Sequence, residues 1–140
     1  MRKWGENFYF SLDELRTQST VEVECVAGSL LLVSADKFLK VGGYDEEMFL
    51  YCEETTLGYK MKQAGYKSVV CTDVEYLHLH GVTISKSISS AIRRKKILLK
   101  SHHLFLCRYL KANWLQRAVD AVVGKIILLE EAMKMLLKRG

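Results

Sequence analysis

Val21, Val23 and Cys25 alternate with Glu22 and Glu24 across Thr20 to Val26. A period of two over that length predicts a strand with one covered face. After an Ala27-Gly28-Ser29 turn comes the short apolar run "LLLVS", Leu30 to Ser34. Ser34 and Asp36 then offer N-cap chemistry for a brief helix through "DKFLKV", which Gly42 and Gly43 stop. "YDEEMFLY", Tyr44 to Tyr51, reads as a connecting loop. Leu57, Met61 and Ala64 fall on one face of a helix from Glu53 to Ala64, with Gly65 as its stop. "YKSVVCT" and "VEYLHLH" follow as short strands, the second setting His78 and His80 on one face and Leu77 and Leu79 on the other.

Beyond Gly81 the apolar period lengthens. Ile88, Ile92, Leu99 and Phe105 lie among Arg93, Arg94, Lys95, Lys96 and Lys100, predicting an amphipathic helix over Ser85 to Leu110. Val119, Val123, Ile126, Ile127, Met133 and Leu137 predict another from Trp114 to Leu137. Lys125, Glu130, Glu131 and Lys134 interrupt the second short of the roughly 18 apolar residues that would span a bilayer, so it is expected to lie on a membrane at most. The pattern divides the chain into an α/β part, residues 1–84, and a basic helical tail, residues 85–140. Neither an internal repeat nor a Pro- or Gly-rich linker separates them.

Charge sharpens that division. Residues 1–81 hold 8 Lys and Arg against 13 Asp and Glu, and residues 82–140 hold 13 against 3, so a net charge of +5 conceals about −5 followed by about +10. A basic, apolar second half suits an anionic membrane surface and leaves apolar area that favours self-association. Nucleic acid is the weaker alternative, because no helix-turn-helix or aromatic stacking platform accompanies the cations. Cys25, Cys52, Cys71 and Cys107 lack CxxC spacing and read as reduced thiols. The N-terminus has no secretory apolar core, so the expected location is cytoplasmic, peripheral to the inner face of the cell membrane.

The candidate chemistry is concentrated in "FLYCEETTLGYKMKQAGYK", where Glu53 and Glu54 open a helix. The helix dipole favours acids there by roughly 0.3 to 1 kcal/mol each, a sufficient structural reason for both. The same dipole keeps a carboxylate ionised, as a general base beside a substrate hydroxyl must be. A Gly-Ser turn upstream, a double-Gly turn into Tyr44-Asp45-Glu46, and paired histidines before Gly81 add to the catalytic alternative.

Those elements, in order from Ala27 to Gly81, resemble the C-terminal half of the catalytic domain of glycosyltransferase family 2, especially its rhamnosyltransferase-like members. The resemblance rests on the Gly-Ser turn into an apolar strand, the "GGYDEE" turn, the "FLY" run, the acid pair opening a helix, the "AGY" helix end and a strand ending in histidine. "RRKKILLKSHHLFLCRYLK" is similar, more loosely, to the family's basic and aromatic helix after the catalytic domain.

The resemblance implies a partial Rossmann-like α/β domain of the GT-A type. It implies an inverting transfer from a nucleotide sugar to a glycan or lipid-linked acceptor in cell-surface polysaccharide synthesis. Glu54 falls on the second acid of the pair and is the implied base, and Glu53 orients the acceptor or the helix start. Gly28, Ser29, Tyr44 and Asp45 fall on substrate-binding positions. His78, with His80 second, falls where a histidine completes the site of a divalent Mg or Mn ion. The family's further acid two residues after the pair is replaced by Thr56. The donor half, with its Asp-x-Asp motif, is absent from the 140 residues, so the chain is expected to be inactive alone, with the missing half in a companion chain or a longer parent. The alternative class is a non-enzymatic module that binds a membrane or partner.

Overall fold

A computed structural model of the chain describes residues 17–48, 50–77 and 87–137. Among them, β1 (Thr20–Val23) and β2 (Ser68–Cys71) form an antiparallel pair in the register Thr20↔Cys71 to Val23↔Ser68. The helices are α1 (Ala35–Lys40), α2 (Glu53–Gln63), α3 (Ala91–Arg108) and α4 (Trp114–Leu137). The class is mixed α/β with a small sheet.

Local chemistry accounts for most boundaries. At the end of α2, Gly65 takes φ +78 while its amide donates to Lys62 O at 3.0 Å and the Tyr66 amide donates to Met61 O at 2.9 Å. That is a Schellman closure, which favours a residue without Cβ at the left-handed position. Gly42 and Gly43 close α1 the same way, and Lys60 of α2 donates to both of their carbonyls, at 3.3 and 2.9 Å. α4 begins with a reciprocal cap in which the Gln116 amide donates to Asn113 Oδ1 and the Asn113 amide to Gln116 Oε1, each at 2.9 Å.

Several expectations are corrected. Ser34 precedes α1, but its side chain makes no capping hydrogen bond. Residues 31–34 form no strand, and Leu32 is 94% exposed. Residues 74–77 form none either: Val74 and Leu77 are exposed, with no strand beside them among the described residues, and the Tyr76 hydroxyl hydrogen-bonds Ser29 Oγ. α3 begins at Ala91, later than predicted, where Ser90 Oγ accepts the Arg93 amide at 3.3 Å.

The core gathers around α2. Met48, Leu57 and Met61 are buried, and Thr56 beside them is fully enclosed, its hydroxyl donating to Met48 Sδ at 3.2 Å. Gly58 faces the exit of β1, where a β-carbon would meet Glu24 O at 2.4 Å, so the strand and helix approach through the missing side chain.

α3 is stitched to this centre. The buried Ser101 hydroxyl donates to Leu50 O at 2.7 Å, and Tyr59 of α2 meets Phe105 and Tyr109 edge-on. Arg108 reaches Asp45 at 2.9 Å and Glu47 at 2.6 Å. α4 then packs along α3, with Gly124 against Leu99 and Asp120 holding His102 at 3.2 Å and His103 at 2.6 Å. The basic helices are therefore joined to the first half by side-chain contacts, and the expected division at residue 84 falls outside the described residues. Among the described residues, no helix is long and apolar enough to cross a membrane.

Candidate active site

The backbone entering α2 is strained. Tyr51 and Cys52 both adopt left-handed conformations, φ 69 and φ 65, which cost a side-chain-bearing residue roughly 1–2 kcal/mol each. This bend delivers Glu53 and Glu54 into the first turn of α2 in different directions.

Glu54 points back to the Gly-Ser turn. A β-carbon built on Gly28 would lie 2.0 Å from Glu54 Oε1, so the carboxylate rests against bare glycine backbone. Glu54 also lines a cleft of about 180 Å³ with Leu31, Ser34, Lys37, Leu57 and Tyr66 among its other walls. Apolar walls with one carboxylate and two lysines, Lys37 and Lys67, suit a ligand that combines carbon surface with hydroxyl or anionic groups. Lys37 Nζ stands 5.2 Å from the centre of the Tyr66 ring, which holds that cation at the wall.

Glu53 turns inward. Its Oε2 is buried without a hydrogen-bond partner among the described residues, and burial, more than the neighbouring Glu54 charge, pushes its carboxyl above the ordinary range, against a smaller pull from its own backbone amide. Burial and then the charges of Glu54 and Glu53 push the Tyr44 hydroxyl up, which ties Tyr44 electrostatically to the pair. The Cys52 thiol is pushed up by burial and then by Glu53 and Glu54.

Asp45 is committed elsewhere. Its Oδ1 accepts the Glu47 amide at 3.1 Å, and its Oδ2 accepts Tyr109 Oη at 2.6 Å and Arg108 at 2.9 Å. Burial raises this carboxyl, but the bonds from Tyr109, Glu47 and Arg108 more than offset it and leave it below the ordinary range. The Glu47 and Asp45 carboxylates push the Arg108 guanidinium up, and burial with the Asp45 bond takes the Tyr109 hydroxyl to about 12.

The structure thus brings together Gly28, Glu53, Glu54 and the Tyr44 field, joins Ser29 to Tyr76, and turns Asp45 toward α3. His78 and His80 lie outside the described residues. Among the described residues, no three His, Cys, Asp or Glu side chains come together as a metal-ligand set. Sequence reasoning missed Tyr76 as the partner of Ser29 and Lys60 as the clamp on the double glycine. Neither carries a spacing signal, because each meets a segment distant in the chain.

A 53-residue segment of the chain, 38% of it, is 43% identical to an N-acetylglucosaminyl-diphospho-decaprenol L-rhamnosyltransferase of Mycobacterium tuberculosis, in both strain CDC 1551 / Oshkosh and strain ATCC 25618 / H37Rv. The match covers 17% of each relative's length. No family model matches the chain. No solved structure matches it. The local likeness supports a glycosyltransferase-like relationship for this segment.

Proposed function

We propose that this chain carries the acceptor side of an inverting glycosyltransferase of family 2, within a GT-A catalytic domain, with Glu54 as the general base. The observation that carries this is the seat of Glu54, whose carboxylate lies against Gly28 and lines the cleft. Glu54 takes the proton of an acceptor hydroxyl as that oxygen attacks the anomeric carbon of the donor sugar. The new glycosidic bond forms, the bond from the anomeric carbon to the diphosphate oxygen breaks, and its electron pair leaves with the nucleoside diphosphate.

Glu53 and the left-handed entry of α2 set the direction from which Glu54 approaches, and Tyr44 flanks the acceptor. By likeness to the named rhamnosyltransferases, the acceptor is a lipid-linked diphosphosugar at the cytoplasmic membrane face, where the surplus of about +10 over residues 82–140 attracts anionic headgroups. His78 and His80 would hold any Mg or Mn ion, which would neutralise charge on the departing diphosphate. The whole activity requires the remaining length represented in the relatives.

The test uses a transferase that contains this segment. Glu54→Gln is expected to lower turnover by about 10²- to 10⁴-fold with little change in melting temperature. Gly28→Ala is expected to lower it as well, because the methyl group occupies the space of Oε1, although both acids are retained. Retained turnover in Glu54→Gln would remove Glu54 as the base; loss in Glu53→Gln alone would move the role to its neighbour.

A further inference from the structure

α4 presents two apolar faces, and α3 covers one of them. The other is a row whose members are all 55–70% exposed: Leu115, Val122, Leu129 and Leu136 alternate with Val119, Ile126 and Met133. The spacing along this row is four, three, four, three, four, three, a heptad seam maintained for about three heptads on a continuous 24-residue helix.

In heptad terms, Val119, Ile126 and Met133 occupy the a positions and Leu115, Val122, Leu129 and Leu136 the d positions. Two of three a residues are β-branched and three of four d residues are leucine, a combination that favours two parallel strands. The flanks agree. Lys125 is at g and Glu130 is at the following e, the positions that face each other across a parallel pair, so a two-fold axis forms the cross-pair twice. The other flanking positions, Gln116, Val123, Leu137, Ala118 and Ala132, carry no cation that would border a lipid-facing stripe. Glu130 also holds Lys134 of its own helix at 2.6 Å, which keeps its carboxylate on the helix surface.

We propose that the exposed seam of α4 is a self-association surface, and that its occupant is the α4 seam of a second copy of this chain, in parallel and in register. α4 then forms the middle layer of a four-helix arrangement in which each α3 covers the outer face of its own α4. The proposal stands independently of the glycosyltransferase reading, since no residue of the cleft takes part.

The test is analytical ultracentrifugation of the whole chain. The wild type is expected to sediment as a dimer at micromolar concentration. Ile126→Glu, with its helix content confirmed by circular dichroism, is expected to raise the dissociation constant at least about 100-fold, because it puts a carboxylate into the closed seam. Lys125→Glu is expected to weaken the dimer by facing Glu130 of the second copy, and adding Glu130→Lys is expected to restore it. Leu136→Cys is expected to cross-link chain to chain under mild oxidation well beyond the background of the four native cysteines, as a parallel pair demands. A monomeric wild type would overturn the proposal, as would a dimer indifferent to Ile126→Glu. So would a wild type that floats as a monomer on phosphatidylglycerol–phosphatidylcholine vesicles and loses flotation in Ile126→Glu, which would make the seam lipid-facing. A dimer without the Leu136→Cys cross-link would overturn the parallel register.

Discussion

Glu53 and Glu54 are neighbours in the chain, yet their oxygens meet different surroundings. One Glu53 oxygen is enclosed without a partner, and burial raises its pKa above the ordinary 4.5. A carboxyl raised on folding contributes its full stability below the unfolded value and loses it as pH rises through the folded value. Ionised Glu53 therefore weakens the fold near neutrality. Glu53→Gln is expected to stabilise the chain relative to wild type at about pH 7, by under about 1 kcal/mol after solvent screening, with the gain vanishing toward about pH 4; urea unfolding at the two pH values checks this. The acid pair was legible from its place at a helix start. What separates the two acids was not, because it depends on Gly28 approaching from a distant turn and on the left-handed bend at Tyr51 and Cys52, residue types that ordinarily avoid that conformation.

Among the elements, the 44–48 loop and the end of α3 are joined through Asp45. Tyr109, Arg108 and the Glu47 amide hold that carboxyl below its ordinary 3.8, so the stability it contributes is present above that value and is lost as pH falls through the lowered one. Asp45→Asn is expected to lower the melting temperature near neutral pH, and the gap from wild type is expected to close in acid below about 3.8. Tyr109→Phe, which removes one hydrogen bond to the same carboxylate, is expected to cost about 1–2 kcal/mol in denaturant unfolding. The helices were legible from period and caps: α2 follows the prediction to within a residue, and α4 matches it from Trp114 to Leu137. The predicted strand over Val74 to His80 was misread at Val74–Leu77, because alternation states which faces differ and not whether a neighbouring strand exists to pair with. The Asp45 clamp was invisible for a related reason: its partners are 63 and 64 positions away.

At the scale of the whole molecule, the split of about −5 and about +10 was plain from the sequence, whereas the stitching of the two halves through Ser101, Tyr59 and Arg108 had to be seen in the fold. Apolar periodicity revealed that α4 has surplus hydrophobic surface, but only the packing against α3 showed which of its faces stays open. The centre to which everything attaches is small and rich in sulfur. Two of the buried apolar side chains around α2, Met48 and Met61, are thioethers, and the fully enclosed Thr56 hydroxyl donates to the first. Thioethers adapt to an irregular space, but peroxide converts them to sulfoxides, which add a polar oxygen where none fits. The keystone of the fold thus contains two oxidisable side chains. Dilute peroxide is expected to lower the melting temperature in step with sulfoxide formation at these two residues, followed by peptide mass spectrometry. Met48→Leu/Met61→Leu, which nearly conserves volume, is expected to cost under about 1.5 kcal/mol per site and to leave a protein whose melting temperature no longer tracks oxidant dose. Sulfoxidation of the two thioethers is expected to make the persistence of the folded chain a function of the oxidant level around it.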